Sequence, residues 1–253
     1  MNKFFVPKIN FRGDMATIDG EDVKHIYKVL RLHEGDEISL NNCEGKEFIG
    51  EISEINKKQV IVKIKETMNT YNESPVEFYL YQGLPKSGKM DLIVQKATEL
   101  GVKEITPLLT ERVVVKGGTS EFKKVDRWNK IALEACKQCK RSLIPVTNTP
   151  IEFSTFISKK NDFDIIVVPY ENENGYGIKK LIQSFSKSEI EKIKKAAVII
   201  GPEGGFEEEE IKQLRDAGAY IVTLGPRILR TETAGFVCIS LLGYELGDLG
   251  GSI

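Results

Sequence analysis

Two short stretches of the 253-residue chain hold residue types at spacings that could do chemistry. The first is Gly201-Pro202-Glu203-Gly204-Gly205, followed by Phe206 and then by Glu207, Glu208, Glu209 and Glu210. Glycines packed this densely free the backbone to take positive φ and let a ligand lie against the main chain. Carboxylates in a first helical turn complement the helix dipole but repel anions. The phosphate that a glycine loop before a helix usually invites therefore does not suit this one; a neutral or cationic ligand does. The second stretch is Leu224-Gly225-Pro226-Arg227-Ile228-Leu229-Arg230-Thr231-Glu232-Thr233-Ala234. Thr231 suits a helix N-cap. Ile228 and Leu229, set between two arginines inside a loop, either plug the core or wall a pocket. The arginines suit a phosphate or an electron-rich base edge.

The elements that must hold these loops follow from the apolar pattern. Val198–Ile200 and Tyr220–Leu224 are short apolar runs ended by Gly-Pro, the signature of a buried strand entering a tight loop. Helical patterns follow at Phe206–Ala217 and Thr231–Leu246. Upstream, Glu77–Gln82, Ile105–Leu109 and Asp164–Val168 read as strands. Asp91–Leu100, with Leu92, Ile93, Ala97 and Leu100 facing inward, Phe122–Lys140 and Ile178–Phe185 read as helices. Strands alternating with helices imply a parallel α/β sheet, and such sheets bind ligands beyond the carboxyl ends of their strands. That rule gathers Val168, Pro169 and Tyr170 beside the loops after Ile200 and Leu224. The helix Thr231–Leu246 is apolar most of the way round, so it belongs in a core or a subunit interface.

Residues 1–66 have a different rhythm, with strand-like runs at Glu37–Leu40, Phe48–Ile55 and Gln59–Ile64 and a helix over Glu21–Leu30 whose inner face would be Val23, Ile26, Tyr27 and Leu30. A small β-barrel is expected. Residues 66–76 lose apolar periodicity and read as a linker, placing the boundary near Tyr71, with domains 1–70 and 71–253. Net charge is −1 and mean hydropathy −0.22, so any polyanion must be met by local patches. Arg12, Lys24, His25, Lys28 and Arg31 form one candidate edge, although the first 35 residues hold six Lys/Arg against five acids, which also fits scattered solvated charge. Residues 112–141 hold nine Lys/Arg against three acids. This patch, with Arg112, Lys137 and Arg141, is either a phosphate-binding face or a solvated helix surface. No apolar run reaches about 18 residues and no signal peptide is evident, so a cytoplasmic protein without a membrane anchor is expected. Cys136 and Cys139 spell C-x-x-C late in a helix, the wrong place for a redox pair. The two histidines are both N-terminal, so no metal centre is expected.

Gly83-Leu84-Pro85-Lys86-Ser87-Gly88-Lys89-Met90 imitates a phosphate-binding loop: G-x-x-x-x-G-K after a strand and before a helix. Met90 stands where the Mg²⁺-binding hydroxyl belongs, and Pro85 removes a backbone N–H. A basic loop at an RNA face is the better reading of Lys86 and Lys89; nucleotide binding stays open as a rival.

The two glycine–proline loops, read as IGPEGGF and LGPRILRTETA, resemble the bacterial 16S rRNA (uracil-N3)-methyltransferase family, in the SPOUT class of trefoil-knotted methyltransferases. QGLPKSGKMDLIVQKATELGV, ITPLLTERVVVK and RWNKIALEACKQCKRS extend the likeness over most of residues 80–235, and NKFFVP with HIYKVLRLHEGDEISL resembles its small RNA-binding barrel. The resemblance implies an α/β, trefoil-knotted parallel-sheet domain preceded by a PUA-like or OB-like barrel, a homodimer, and methylation of uridine N3 in the 16S rRNA of the small ribosomal subunit. S-adenosyl-L-methionine would lie against Val168, Pro169, Tyr170, Ile200, Gly201, Pro202, Glu203, Gly204, Gly205, Leu224, Gly225, Arg227, Ile228 and Leu229. Arg230 would stabilise negative charge on the base, and Glu232, or else Glu203, would take the N3 proton. RNA would be met by Arg12, Lys24, His25, Arg31, Lys86, Lys89, Arg112, Lys137 and Arg141. A non-catalytic RNA-binding assembly factor is the second rival.

Overall fold

A computed structural model describes residues 1–69, 72–86, 88–114 and 124–251. The chain forms two compact units: Met1–Glu73 with Cys136–Ile144, and Ser74–Ala135 with Pro145–Ile253. Residues 136–144 thus leave the second unit and join the first, an excursion that a single linear boundary does not anticipate.

The first unit is a six-stranded sheet of β1 (Lys3–Phe5), β2 (Phe11–Arg12), β3 (Met15–Ile18), β4 (Glu37–Asn41), β5 (Glu47–Ile55) and β6 (Val60–Met68), in the order β1-β4-β5-β6-β3-β2. All neighbours are antiparallel except β1 and β4. Register shifts in β5 at Ile49/Gly50 and Ile52/Glu54 add the local twist that bulges bring. Alternate residues (Ala16 and Ile18, Ile38 and Leu40, Val60 and Val62) fill one core with Val23 and Ile26. The helix expected over Glu21–Leu30 is one α-turn, Glu21–Lys24, running into a π-helix, His25–Leu30. The wider π turn changes the face each residue takes: Tyr27 is 49% exposed rather than inward. The segment 136–144 is fixed in this unit by polar contacts. Glu73 accepts from Arg141 Nη2 at 2.8 Å, Ser142 N at 2.8 Å and Leu143 N at 2.9 Å. Asn41 Nδ2 donates to the Ser142 carbonyl at 2.8 Å.

The second unit is a parallel sheet of β7 (Glu77–Gly83), β8 (Val102–Leu109), β9 (Val146–Thr147), β10 (Ile151–Glu152), β11 (Ile165–Pro169), β12 (Lys195–Ile200) and β13 (Tyr220–Val222), ordered β10-β8-β7-β12-β11-β13 with β9 beside β8. In β12, Ala197 and Ile199 join the core with Phe206, Ile211 and Leu214. Val198 and Ile200, pointing the other way, are as deeply buried. Helices on both faces explain why the strand reads as unbroken apolar sequence; each such Ile or Val stabilises the fold by roughly 1.5–3 kcal/mol. This is the α/β architecture expected of the SPOUT class. The helix Lys89–Glu99 buries Met90, Ile93, Val94, Ala97 and Thr98. Leu92, expected inward, is 43% exposed, because the helix begins two residues earlier and its apolar stripe is set by Met90 and Val94. The helix expected over 122–140 is Val125–Cys139; residues 122 and 123 lie outside the described residues. No described helix is long and apolar enough to cross a membrane.

Glu73→Ala would strip Arg141, whose side chain is 6% exposed, of its carboxylate and leave two backbone donors short of an acceptor. The expected loss is about 3 kcal/mol, read as a lower urea midpoint, whereas Lys65→Ala on the exposed face of the same unit should change it by less than about 0.5 kcal/mol.

Candidate functional site

Register places the loops before any side chain is considered. Ile200 lies opposite Gln82, Val167 opposite Val198, and Pro169 opposite Val222. Four parallel strands therefore end on one row, and the segments after Gln82, Ile200, Pro169 and Val222 rise together. Between the last three lies a cavity of about 490 Å³, lined by Pro169, Tyr170, Glu171, Glu173 and Asn174, by Ile200–Glu203, Gly205 and Phe206, by Thr223–Thr231 and Ala234, and by Lys89. That volume suits a nucleoside-sized ligand.

A buried polar chain fixes this geometry. Gln82, fully buried, donates from Nε2 to Thr231 Oγ1 at 2.7 Å, and the Thr231 hydroxyl donates to the Gly201 carbonyl at 2.6 Å. One side chain thus joins the end of β7, the first residue of the helix Thr231–Leu246 and the first residue of the glycine loop. Thr231 was expected as the N-cap; Arg230 occupies that position with no side-chain cap bond, because the Thr231 hydroxyl is committed to Gly201. Gly205 needs its φ of +71°, and a Cβ there would strike the Glu171 carboxylate. Gly225 takes φ +121° in the second loop.

The cofactor-site expectation places Pro169, Tyr170, Ile200, Gly201, Pro202, Glu203, Gly205, Leu224, Gly225, Arg227, Ile228 and Leu229 on the cavity wall. Two of the expected residues do not line it. Val168 is fully buried in the core, since strand alternation turns it away from the loop end. Gly204 does not line the cavity; it sits beneath Arg112, whose Cβ would stand 3.2 Å from an added Cβ. Lining residues that sequence pattern missed are Glu171, Glu173, Asn174, Phe206, Thr223, Pro226 and Lys89. Glu171–Asn174 directly follow the predicted strand end, so the same carboxyl-end rule reaches them; Lys89 had no local signal.

The basic residues divide sharply. Arg112 was expected at RNA. Its Nε and Nη2 instead hold Glu207 at 2.7 and 3.0 Å and its Nη1 holds the Gly204 carbonyl at 2.8 Å, so it clamps the glycine loop. Glu207 and Glu210 close a reciprocal capping box on the helix Glu208–Asp216. Arg141 is 5% exposed and bound to Glu73. Lys137 lies 3.8 Å from Asp22. Lys89, also expected at RNA, is drawn into the cavity wall, 3.1 Å from Glu203 and 3.3 Å from Glu232. Arg12, Lys24, His25, Arg31 and Lys86 are exposed. Of the catalytic pair, Arg230 lines the cavity; Glu232 does not, its Oε2 being buried behind Lys89.

The phosphate-loop rival fails on the same contacts. The Lys86 N–H, which would face a phosphate, points to the Glu203 carboxylate at 3.1 Å. A side chain at Gly83 would collide with Gly201 and Pro202, so the glycine loop fills the space a nucleotide would need. Among the described residues no cluster of His, Cys, Asp and Glu is arranged to hold a metal. Burial pushes the Cys136 thiol up to about 12, which suppresses the thiolate a redox pair requires.

Burial raises Glu203, but its own backbone N–H, Lys89 and the Lys86 N–H outweigh that and hold it below 4.5. Arg112 holds Glu207 below 4.5. Depressed carboxylates contribute stability above their unfolded pKa and lose it as pH falls through the folded value. The loop's contribution to stability should thus hold from neutrality downward and be lost only on acidification below the ordinary carboxylate range, as followed by thermal unfolding across pH. Thr231→Val, similar in shape but without the hydroxyl, should cost about 2 kcal/mol in thermal unfolding.

Two domain families match the chain: an RNA methyltransferase domain over residues 72–243 and an RNA methyltransferase PUA domain over 18–65. The chain is 37% identical over 251 residues to ribosomal RNA small subunit methyltransferase E of Bacillus subtilis, covering 97% of each. It is 33% identical to the same enzyme of Buchnera aphidicola from Acyrthosiphon pisum, covering 96% of this chain and 95% of that one. The crystal structure of ribosomal RNA small subunit methyltransferase E from Neisseria gonorrhoeae bound to S-adenosyl methionine aligns with TM-score 0.81 at 29% identity, over 98% of this chain and 99% of that one. A parallel sheet whose two glycine–proline loops enclose one cavity, in a chain matched almost end to end, makes this protein a member of the ribosomal RNA small subunit methyltransferase E family of RNA methyltransferases.

Proposed function

We propose that this protein transfers a methyl group from S-adenosyl-L-methionine to N3 of a uridine in 16S rRNA. The observation that carries the reading is the cavity itself, with a main-chain rim of two glycine loops, apolar walls and carboxylates facing in. Ile200, Phe206, Leu224, Ile228 and Leu229 offer apolar surface to an adenine ring. The backbone of Gly201–Gly205 and Leu224–Gly225 offers donors and acceptors to a ribose and an amino acid. Glu171 and Glu203 favour a cation over an anion. S-adenosylmethionine, when bound, supplies a methyl on a cationic sulfonium, so the protein's task is alignment and removal of a proton.

Arg230, on the cavity wall, stabilises the negative charge that gathers on the uracil oxygens as N3 is deprotonated. The proton passes to the carboxylates joined by Lys89, of which Glu203 lines the cavity and Glu232 stands behind. Exposed Arg12, Lys24, His25, Arg31 and Lys86 meet the RNA backbone. The protein works as a homodimer in the cytoplasm. The helix Thr231–Leu246 supports this by leaving Leu241 and Tyr244 39% and 66% exposed, and the cavity residue Ile228 is 85% exposed.

Labelled methyl from S-adenosylmethionine should appear as 3-methyluridine after digestion of 16S rRNA or small subunits treated with the protein. Label in another nucleoside, or none, would overturn the reading; none with RNA still bound would favour a non-catalytic assembly factor. Arg230→Ala should lower single-turnover methylation by on the order of 10²-fold and leave donor affinity within about threefold. Equal losses in both would make Arg230 a donor-binding residue instead.

A further inference from the structure

The cavity wall contains an ion cluster that spans three elements. Lys89 opens the helix Lys89–Glu99, Glu203 is in the glycine loop, and Glu232 is in the first turn of the helix Thr231–Leu246. The ammonium lies 3.1 Å from Glu203 and 3.3 Å from Glu232. Lys89 and Glu203 line the cavity; Glu232 does not. The Glu232 side chain is 13% exposed, and its Oε2 atom is buried and has no other partner among the described residues. Here a second carboxylate, off the cavity wall, shares the same ammonium.

We propose that Glu203, Lys89 and Glu232 act as one proton-accepting unit, with Glu203 as the group that receives the uridine N3 proton and Lys89 as its positioning residue. The inference rests on the methyl-transfer reading above. Before transfer the unit carries one ammonium and two carboxylates, a net charge of −1, beside a donor that carries +1 on sulfur. The N3–H bond breaks, its electron pair forms the N3–CH₃ bond, and the S–CH₃ bond breaks with its pair staying on sulfur. The proton joins Glu203. The donor then carries no charge on sulfur, the unit is neutral, and the Lys89–Glu232 pair stays intact. The total over sulfonium and unit is zero before and after, so transfer leaves the net charge of this side of the cavity unchanged. Without Glu232, protonation of Glu203 would leave the ammonium alone. Lys89 itself cannot be the acceptor: its bond to Glu203, and that to Glu232, raise it above its ordinary value and keep it protonated.

Other charged groups face the same cavity: Arg227 and Arg230 from the second loop, Glu171 and Glu173 from the segment after β11. Glu173 is tied to Arg215 at 3.2 Å. None of these stands against a second carboxylate across one shared cation among the ion pairs of the described residues.

Single-turnover methylation of 16S rRNA across pH, with donor saturating, tests the assignment. Lys89 helps to lower Glu203, so Lys89→Met should move the acid limb to higher pH by about one unit, and Lys89→Arg should restore it. Glu203→Gln should lower the plateau by on the order of 10²-fold. A second measurement needs no turnover and also shows that each variant is folded: the calorimetric ratio of affinities for S-adenosylmethionine and S-adenosylhomocysteine. That ratio should rise roughly threefold in Lys89→Met and fall roughly threefold in Glu203→Gln, the effect of one unit charge through a partly wet site. An unmoved acid limb in Lys89→Met, a Glu203→Gln plateau within threefold of the parent, or an unchanged ratio in both variants overturns the assignment. A parent protein that methylates no uridine N3 would instead defeat the reading on which it rests.

Discussion

A single hydroxyl governs the geometry on which this site depends. Thr231 accepts from buried Gln82 and donates to the Gly201 carbonyl, so the end of a central strand, the glycine loop and the last helix cannot move independently. Loops of seven and eight residues between regular elements would otherwise carry considerable conformational entropy. The row Gln82–Ile200 and Pro169–Val222 sets where the loops begin, and Thr231 sets how they converge. Gly201 must stay small for the same reason: an added Cβ would lie 3.2 Å from the Phe206 ring and from the Gly205 carbonyl carbon. The first loop is therefore folded back on itself and pinned at its start, while Arg112 pins it at Gly204.

The electrostatics follow from that packing. The family's substrate is a polyanion and its donor a cation, and one uniform field cannot serve both. Carboxylates occupy the cavity, at Glu171, Glu203 and behind Lys89. Three cations near them are spent locally, Arg112 on Glu207, Lys89 on Glu203 and Glu232, and Arg215 on Glu173, while Arg227 and Arg230 stay on the second loop's side of the cavity. A net charge near zero for the whole chain thus conceals a local division, with carboxylates on the glycine-loop side of the cavity and two arginines on the other.

Much of this was legible in the sequence. Gly-Pro after an apolar run located both loops, because a buried strand can only stop so abruptly where the backbone is free to turn. The helix Thr231–Leu246 matched its expected bounds. Charge counting was the weak step. Residues 112–141 looked like a basic face, yet Arg112, Lys137 and Arg141 each have an acidic partner far away in the chain, at Glu207, Asp22 and Glu73. A pairing across roughly a hundred residues leaves no local pattern to read. Lys89 shows the same limit, since its position in an apparent phosphate loop said nothing of Glu203 and Glu232. The inward faces of two helices slipped as well: a π-helix changed the period at His25–Leu30, and the helix at Lys89 began two residues early.

These pairings narrow where RNA can be held. An arginine already bound by a carboxylate releases few counterions when phosphate approaches, so it adds little to salt-dependent affinity. Arg112 and Arg141 are each held by a carboxylate and would add little to the proposed RNA contact, and Lys137 lies near Asp22. Arg12, Lys24, His25 and Arg31 remain, all on the unit that matches the PUA family, together with Lys86 at the rim of the glycine loop. Tyr27 and Val29 are exposed in the same π-helical segment, 49% and 66%, and Tyr27 offers a ring on which an unpaired base can stack. The π-helix that spoiled the predicted inner face thus has a consequence of its own. By turning Tyr27 outward beside Lys24, His25 and Lys28, it exposes an aromatic ring and three basic side chains on one short segment that reads as core-facing.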